Sequence, residues 1–168
     1  MTNRAAILGL GSRGVQWAEA CLAAGWEVTG FDPDDRAGRD IAAVVWSREG
    51  TISGAVRRAD WIICCLPERI ELLRPVLRRA QASAHESAII AVVSETFQVD
   101  DVQDCAIRPG QVFRLIDQGA GDLALDVNSR NDAEVRARAT DAMAVLGAAQ
   151  SLAPPRTAEK VLPDSREA

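Results

Sequence analysis

Apolar residues fall in short runs at residues 5–10, 61–66 and, behind Ser87, 87–93, each of strand length. Runs without polar alternation are what strands buried on both faces of a parallel sheet require. Between them the apolar positions recur at helical spacing: Val15, Ala18 and Leu22, then Ile70, Leu73, Leu77 and Ala80, then Val135, Ala139, Ala142, Met143 and Leu146. Weaker patterns predict strands at 27–31, 43–46, 112–116, 123–127 and 148–152, helical turns at 52–58 and 99–105, and a turn with a short helix after residue 32. Pro67 and Glu68 are expected to open the second long helix, and Pro75 to kink or split it. Asn131-Asp-Ala-Glu134 reads as a capping box for the last helix, with Gly147 closing it. Alternating strands and helices predict a doubly wound, mostly parallel α/β sheet in a single domain over 1–152, with a proline-rich tail over 153–168.

The first strand runs into Gly9-Leu-Gly-Ser-Arg-Gly14, a G-x-G-x-x-G turn that opens the first helix. Gly9 would turn the chain, Gly11 would let the backbone approach a pyrophosphate, and Gly14 would let helix and strand pack closely. Ser12 and Arg13 complete the cradle, and the N-terminus of the helix favours the anion. A glycine turn that binds no dinucleotide is the competing reading. Against it stand three agreements: Gly25 at the end of the helix, a second strand at 27–31, and Asp32 directly after it. Asp32 lies 18 residues after Gly14, where a Rossmann-type fold keeps the acid that accepts the adenosine ribose hydroxyls. A carboxylate there favours NAD over NADP, while Arg13 and Arg36 leave NADP open. Cys65 and Leu66, at the C-terminal end of the strand at 61–66, and Glu68 just beyond it fall where the nicotinamide half of the cofactor would lie. Cys64 and Cys65 point to opposite faces of that strand, and the preferred reading is two small buried residues.

Composition narrows the class. With 48% hydrophobic and 26% charged residues in 168, the chain carries enough apolar material for a core. No run reaches transmembrane length and the first residues lack a signal segment, so a cytoplasmic protein without a membrane partner is expected. A net charge of −5, with basic residues scattered among acidic ones, argues against nucleic acid. The four cysteines have no zinc spacing, and no metal site is expected.

The chain resembles the N-terminal NAD-binding domain of the L-3-hydroxyacyl-CoA dehydrogenase family, particularly its carnitine dehydrogenase-like branch. The matches are residues 7–14, 25–34, 59–62, 66–72, 88–91 and 108–111. The resemblance implies NAD as cofactor and a small 3-hydroxy acid or acyl-CoA as substrate. It places a substrate-binding serine after the strand at 87–93, where Ser94 is the nearest hydroxyl and strict alignment puts Glu95. It also implies a histidine that takes the hydroxyl proton, held by a downstream glutamate. Here the segment reads Arg114-Leu-Ile-Asp-Gln-Gly119, with Asp126 matching the glutamate and no histidine. Asp117 could replace the base, although an exposed turn aspartate is preferred. The only histidine, His85, is read as a loop residue at the far end of the sheet. The family's C-terminal helical domain completes the cleft and the dimer, and it has no counterpart in these 168 residues. Two functions follow: an NAD-dependent oxidoreductase of this type, or a catalytically inactive NAD(H)-binding sensor. A homo-oligomer is expected in either case, to cover the face that a second domain would cover.

Overall fold

Seven strands form one sheet in the order β3-β2-β1-β4-β5-β6-β7, in a computed structural model that describes residues 3–119 and 121–152. The strands are β1 (Arg4–Leu8), β2 (Glu27–Phe31), β3 (Trp46–Arg48), β4 (Trp61–Cys64), β5 (Ile89–Val93), β6 (Val112–Asp117) and β7 (Leu123–Asp126). All neighbours are parallel except β7, which runs antiparallel to β6. The order reverses between β1 and β4. Their carboxyl ends are therefore the switch point at which a doubly wound sheet opens a crevice.

The helices divide between two faces. On one face α1 (Ser12–Ala23) and α5 (Ala133–Leu152) pack Trp17, Ala18, Cys21, Ala139 and Leu146 onto Ile7, Ile63, Ala91 and Phe113. On the other, α2 (Ile52–Val56), α3 (Ile70–Ser83) and α4 (Val99–Asp104) pack Val56, Leu73, Leu77 and Val102 onto Ala6, Ile62, Ile90 and Val112. Every residue of β4 and β5 is buried, which is why those runs show no alternation. Each fully buried Ile or Leu there contributes roughly 1.5–3 kcal/mol. After α1 the chain reverses at Gly25 (φ +82°), where the Trp26 amide donates to Cys21 O at 3.0 Å.

Several expectations are corrected. The short helix after residue 32 is a series of turns, because Arg48 takes the carbonyls a helix would use: Asp32 O at 2.9 Å, Asp34 O at 2.7 Å and Ala37 O at 3.1 Å. The third strand begins at Trp46, whose ring lies over Gly30, and leaves Val44 and Val45 exposed. Pro67 and Glu68 lie in the loop before α3, which begins at Ile70. Pro75 does not split α3, which runs through it with Pro75 on the exposed side.

Asp132, and not Asn131, caps α5, its Oδ1 accepting from the Val135 amide at 2.8 Å. Asn131 is fully buried, and its amide is used by Gly110 O, Val112 O, the Asn128 amide and Gln103. Gly147 does not close α5, and residues 148–152 are helix and not strand. A Cβ on Gly147 would come within 2.8 Å of Gly121 O, so this glycine serves close packing. The tail expected over 153–168 lies outside the described residues.

Candidate functional site

The cradle is built at the end of β1. Gly9 has φ +92°, and its amide donates to Phe31 O at 2.9 Å, carrying the β1–β2 pairing one residue into the turn. The backbone closes tightly around it: a Cβ on Gly9 would lie 2.4 Å from Cys65 O, and one on Gly14 would lie 1.7 Å from Gly9 O. Gly11 is different. A Cβ there would meet nothing within 4 Å, and no side chain caps the first turn of α1. The turn at Gly11 is therefore open and its helix amides uncapped, as a bound pyrophosphate needs. Ser12 is exposed beside it and Arg13 half-buried.

Asp32 flanks the cradle on the β2 side. Its Oδ2 accepts from the Leu10 amide at 2.7 Å and its Oδ1 from the Asp34 amide at 2.8 Å. Each oxygen keeps a lone pair for a ribose hydroxyl. Asp34 stands nearby, held below the usual carboxylate range by the Arg36 amide and guanidinium. Arg36 is thus engaged by a carboxylate, and Asp32 and Asp34 together oppose a 2′-phosphate.

Beyond β4 the chain forms a second cluster. Cys64 packs into the core on the α3 face, whereas Cys65 packs towards the α1 face. Burial pushes the Cys64 thiol up to about 12 and the Cys65 thiol well above its ordinary value, so both are protonated and weakly reactive. Leu66 is half-buried beside Gly9. Glu68 reaches across to the loop after β5: its Oε1 accepts from the Glu95 amide at 2.6 Å and the Thr96 amide at 3.2 Å, and its Oε2 from the Thr96 hydroxyl at 2.5 Å. Ser94 is buried, its hydroxyl accepting from the Thr96 and Phe97 amides at 3.2 and 2.9 Å. The serine that the resemblance marks for substrate is thus built into the turn.

Burial alone would raise the Glu68 carboxyl, but hydrogen bonds from the Ser94 and Thr96 side chains and from the Glu95 and Thr96 amides outweigh it. They bring its pKa from 4.5 down to about 2. The folded value is lower than the unfolded one, so the stabilisation is complete above pH 4.5 and is lost as pH falls towards about 2. Urea denaturation across that window is expected to show a loss of stability that Glu68→Gln flattens. An equal acid slope in both proteins would contradict this role.

Arg114 was not singled out by the sequence as a site residue, because an arginine inside an apolar run carries no motif. It is buried, and its guanidinium binds Ser94 O at 3.1 Å, Glu95 O at 3.1 Å and Asp126 Oδ2 at 3.2 Å. Arg114 and Asp126 face each other in the β6–β7 register. An arginine–aspartate pair thus stands where the resemblance implies histidine and carboxylate. Asp117 accepts from the Gly119 amide at 2.9 Å. His85 precedes β5, at the opposite end of the sheet from the cradle, and pairs with Ser87. Among the described residues no group of acids, cysteines and histidine could hold a metal ion, and no helix is long and apolar enough to cross a membrane.

Residues 4–108 match the family model described as the NAD binding domain of 6-phosphogluconate dehydrogenase. The chain belongs to this NAD-binding family. NAD is the cofactor its cradle serves, and the residues fit it: the uncapped turn at Gly11 for the pyrophosphate, Asp32 for a ribose. In sequence the chain is 33% identical over 128 residues to an L-carnitine dehydrogenase/betainyl-CoA thioesterase of Ruegeria pomeroyi, covering 64% of this chain and 26% of that protein. FadB2 of M. tuberculosis shares the fold with a TM-score of 0.78 at 17% identity, over 87% of this chain and 61% of that one. The (S)-3-hydroxybutyryl-CoA dehydrogenase PaaH1 of Ralstonia eutropha does so with 0.77 at 15%, over 88% and 62%. The chain spans about a quarter to two fifths of the length of its curated sequence relatives. These likenesses are those expected from the glycine turn, Asp32 and the segment at 59–72.

Proposed function

We propose that the chain is the nucleotide-binding half of an NAD-dependent oxidoreductase acting on a small 3-hydroxy acid or its acyl-CoA ester. The observation that carries this reading is the open, uncapped Gly11 turn with Asp32 locked onto the Leu10 amide beside it. Gly9, Gly11, Ser12, Arg13 and Gly14 would hold the pyrophosphate, Asp32 the adenosine ribose, and Cys65 and Leu66 the nicotinamide side. Glu68 fixes the loop after β5, and Ser94 keeps that loop in shape. When bound, NAD supplies a hydride acceptor. The names of the sequence and fold relatives support the substrate class. The protein is read as cytoplasmic and homo-oligomeric; its four free thiols suit a reducing compartment.

A second reading, a catalytically inactive NAD(H) sensor, is favoured by one observation. Oxidation of an alcohol needs a group that takes the hydroxyl proton, and the Arg114–Asp126 pair offers a permanent cation in its place. Calorimetric titration with NAD, NADH, NADP and NADPH tests the nucleotide site. Asp32→Ala is expected to weaken NAD about 10- to 100-fold, the scale of one hydrogen bond to a charged group. Equal affinity in the variant would remove Asp32 from the site. Turnover with a panel of 3-hydroxy acids and CoA esters then separates the two readings, and activity abolished by Asp126→Ala would exclude the sensor.

A further inference from the structure

Glu95 is held as few exposed residues are. Its amide donates to Glu68 Oε1 at 2.6 Å and its carbonyl accepts from Arg114 Nη2 at 3.1 Å, so the main chain is pinned from both sides. Ser94 before it is buried, and Thr96 after it is bonded to Glu68 through amide and hydroxyl. Only the Glu95 side chain is left to move. It is 70% exposed, and its Oε1 lies 3.7 Å from Arg13 Nη2. A pair this open and this long is weakly held.

Asp126 at this end of the sheet is paired with a cation, Arg114, whereas Glu68 and Asp117 keep their charge but are held in place, Glu68 by Ser94, Thr96 and two amides and Asp117 by the Gly119 amide. Arg13 is the second residue of α1, at the mouth of the cradle. A pyrophosphate there offers Arg13 two negative charges in place of one distant carboxylate. Glu95 then remains as an unbalanced negative charge at the carboxyl end of β5. With Asp32 marking the adenosine side on β2, the other half of a dinucleotide extends across the switch point towards β4 and β5.

We infer that Glu95 sets the redox-state preference of the site, favouring the cationic nicotinamide ring of NAD+ over the neutral ring of NADH. The inference rests on the assignment of the nicotinamide half to the ends of β4 and β5. The two cofactor forms share their adenosine, ribose and pyrophosphate groups and differ by one ring charge. A fixed carboxylate therefore discriminates between them through Coulomb attraction, worth about tenfold in affinity at a half-solvated distance.

The test is calorimetry of the wild-type chain and Glu95→Gln with ADP-ribose, NAD+ and NADH. Glutamine keeps both main-chain anchors and removes only the charge. The ratio of the NADH to the NAD+ dissociation constant is expected to fall about tenfold in the variant, with ADP-ribose binding unchanged. An unchanged ratio with ADP-ribose still bound would overturn the role of Glu95 and leave the nucleotide site standing. Tighter ADP-ribose binding in the variant at constant ratio would also overturn it, showing that Glu95 only competes with the pyrophosphate for Arg13. Failure of the wild type to bind ADP-ribose would remove the nucleotide reading and this inference with it.

Discussion

Gly14→Ala is expected to abolish NAD binding and to destabilise the fold, whereas Gly11→Ala is expected to weaken binding strongly and leave the fold intact. The alanine methyl at position 14 would stand 1.7 Å from Gly9 O, a main-chain atom fixed by the Gly9 amide bond to Phe31. No rotamer relieves a clash with backbone, so α1 must move off β1. Overpacking of this kind costs about 1–3 kcal/mol or more. At position 11 the same methyl meets nothing within 4 Å. On the proposed binding mode that space is the pyrophosphate's, and a loss of 30-fold or more in NAD affinity is expected, equivalent to about 2 kcal/mol. Thermal unfolding and NAD titration of both variants separate the two roles. If Gly11→Ala binds NAD normally, the turn is architecture and the pyrophosphate lies elsewhere.

The second large effect is expected at Arg114. Arg114→Met leaves the Asp126 carboxylate without its cation and removes the donors from Ser94 O and Glu95 O. Breaking a fully buried pair costs about 3–5 kcal/mol, and the 29% exposure of the Asp126 side chain puts this one near the lower end. Urea denaturation should show that loss. The double variant Arg114→Met, Asp126→Leu should recover most of it, because two apolar groups leave no unpaired charge. Wild-type stability in the single variant would mean that the pair is not what fixes the loop after β5. The loop is the more interesting readout. It carries Glu95, and its release should alter cofactor binding even though Arg114 does not face the cradle.

Apolar pattern and glycine spacing together determined the frame of this protein. The unbroken runs of β4 and β5 marked strands buried on both sides, and the glycine turn was legible because its parts close on one another within a few residues, Gly14 against Gly9. Periodicity and turn chemistry are local properties, written in neighbouring residues. What the pattern misjudged were places where a distant group supplied the deciding contact. Arg48 took the carbonyls of the turn after Asp32, Gln103 and Gly110 claimed Asn131 from its capping role, and Gly121 explained a glycine that looked like a helix end. The reactive end was decided the same way. Glu68 meets Thr96 across 28 residues, and Arg114 meets Asp126 across 12. Such partners are neighbours only after the sheet has formed, because a buried carbonyl or carboxylate takes whichever donor the fold brings to it. The sequence alone determined that the chain folds into a dinucleotide cradle, and the tertiary structure decided which charges surround it.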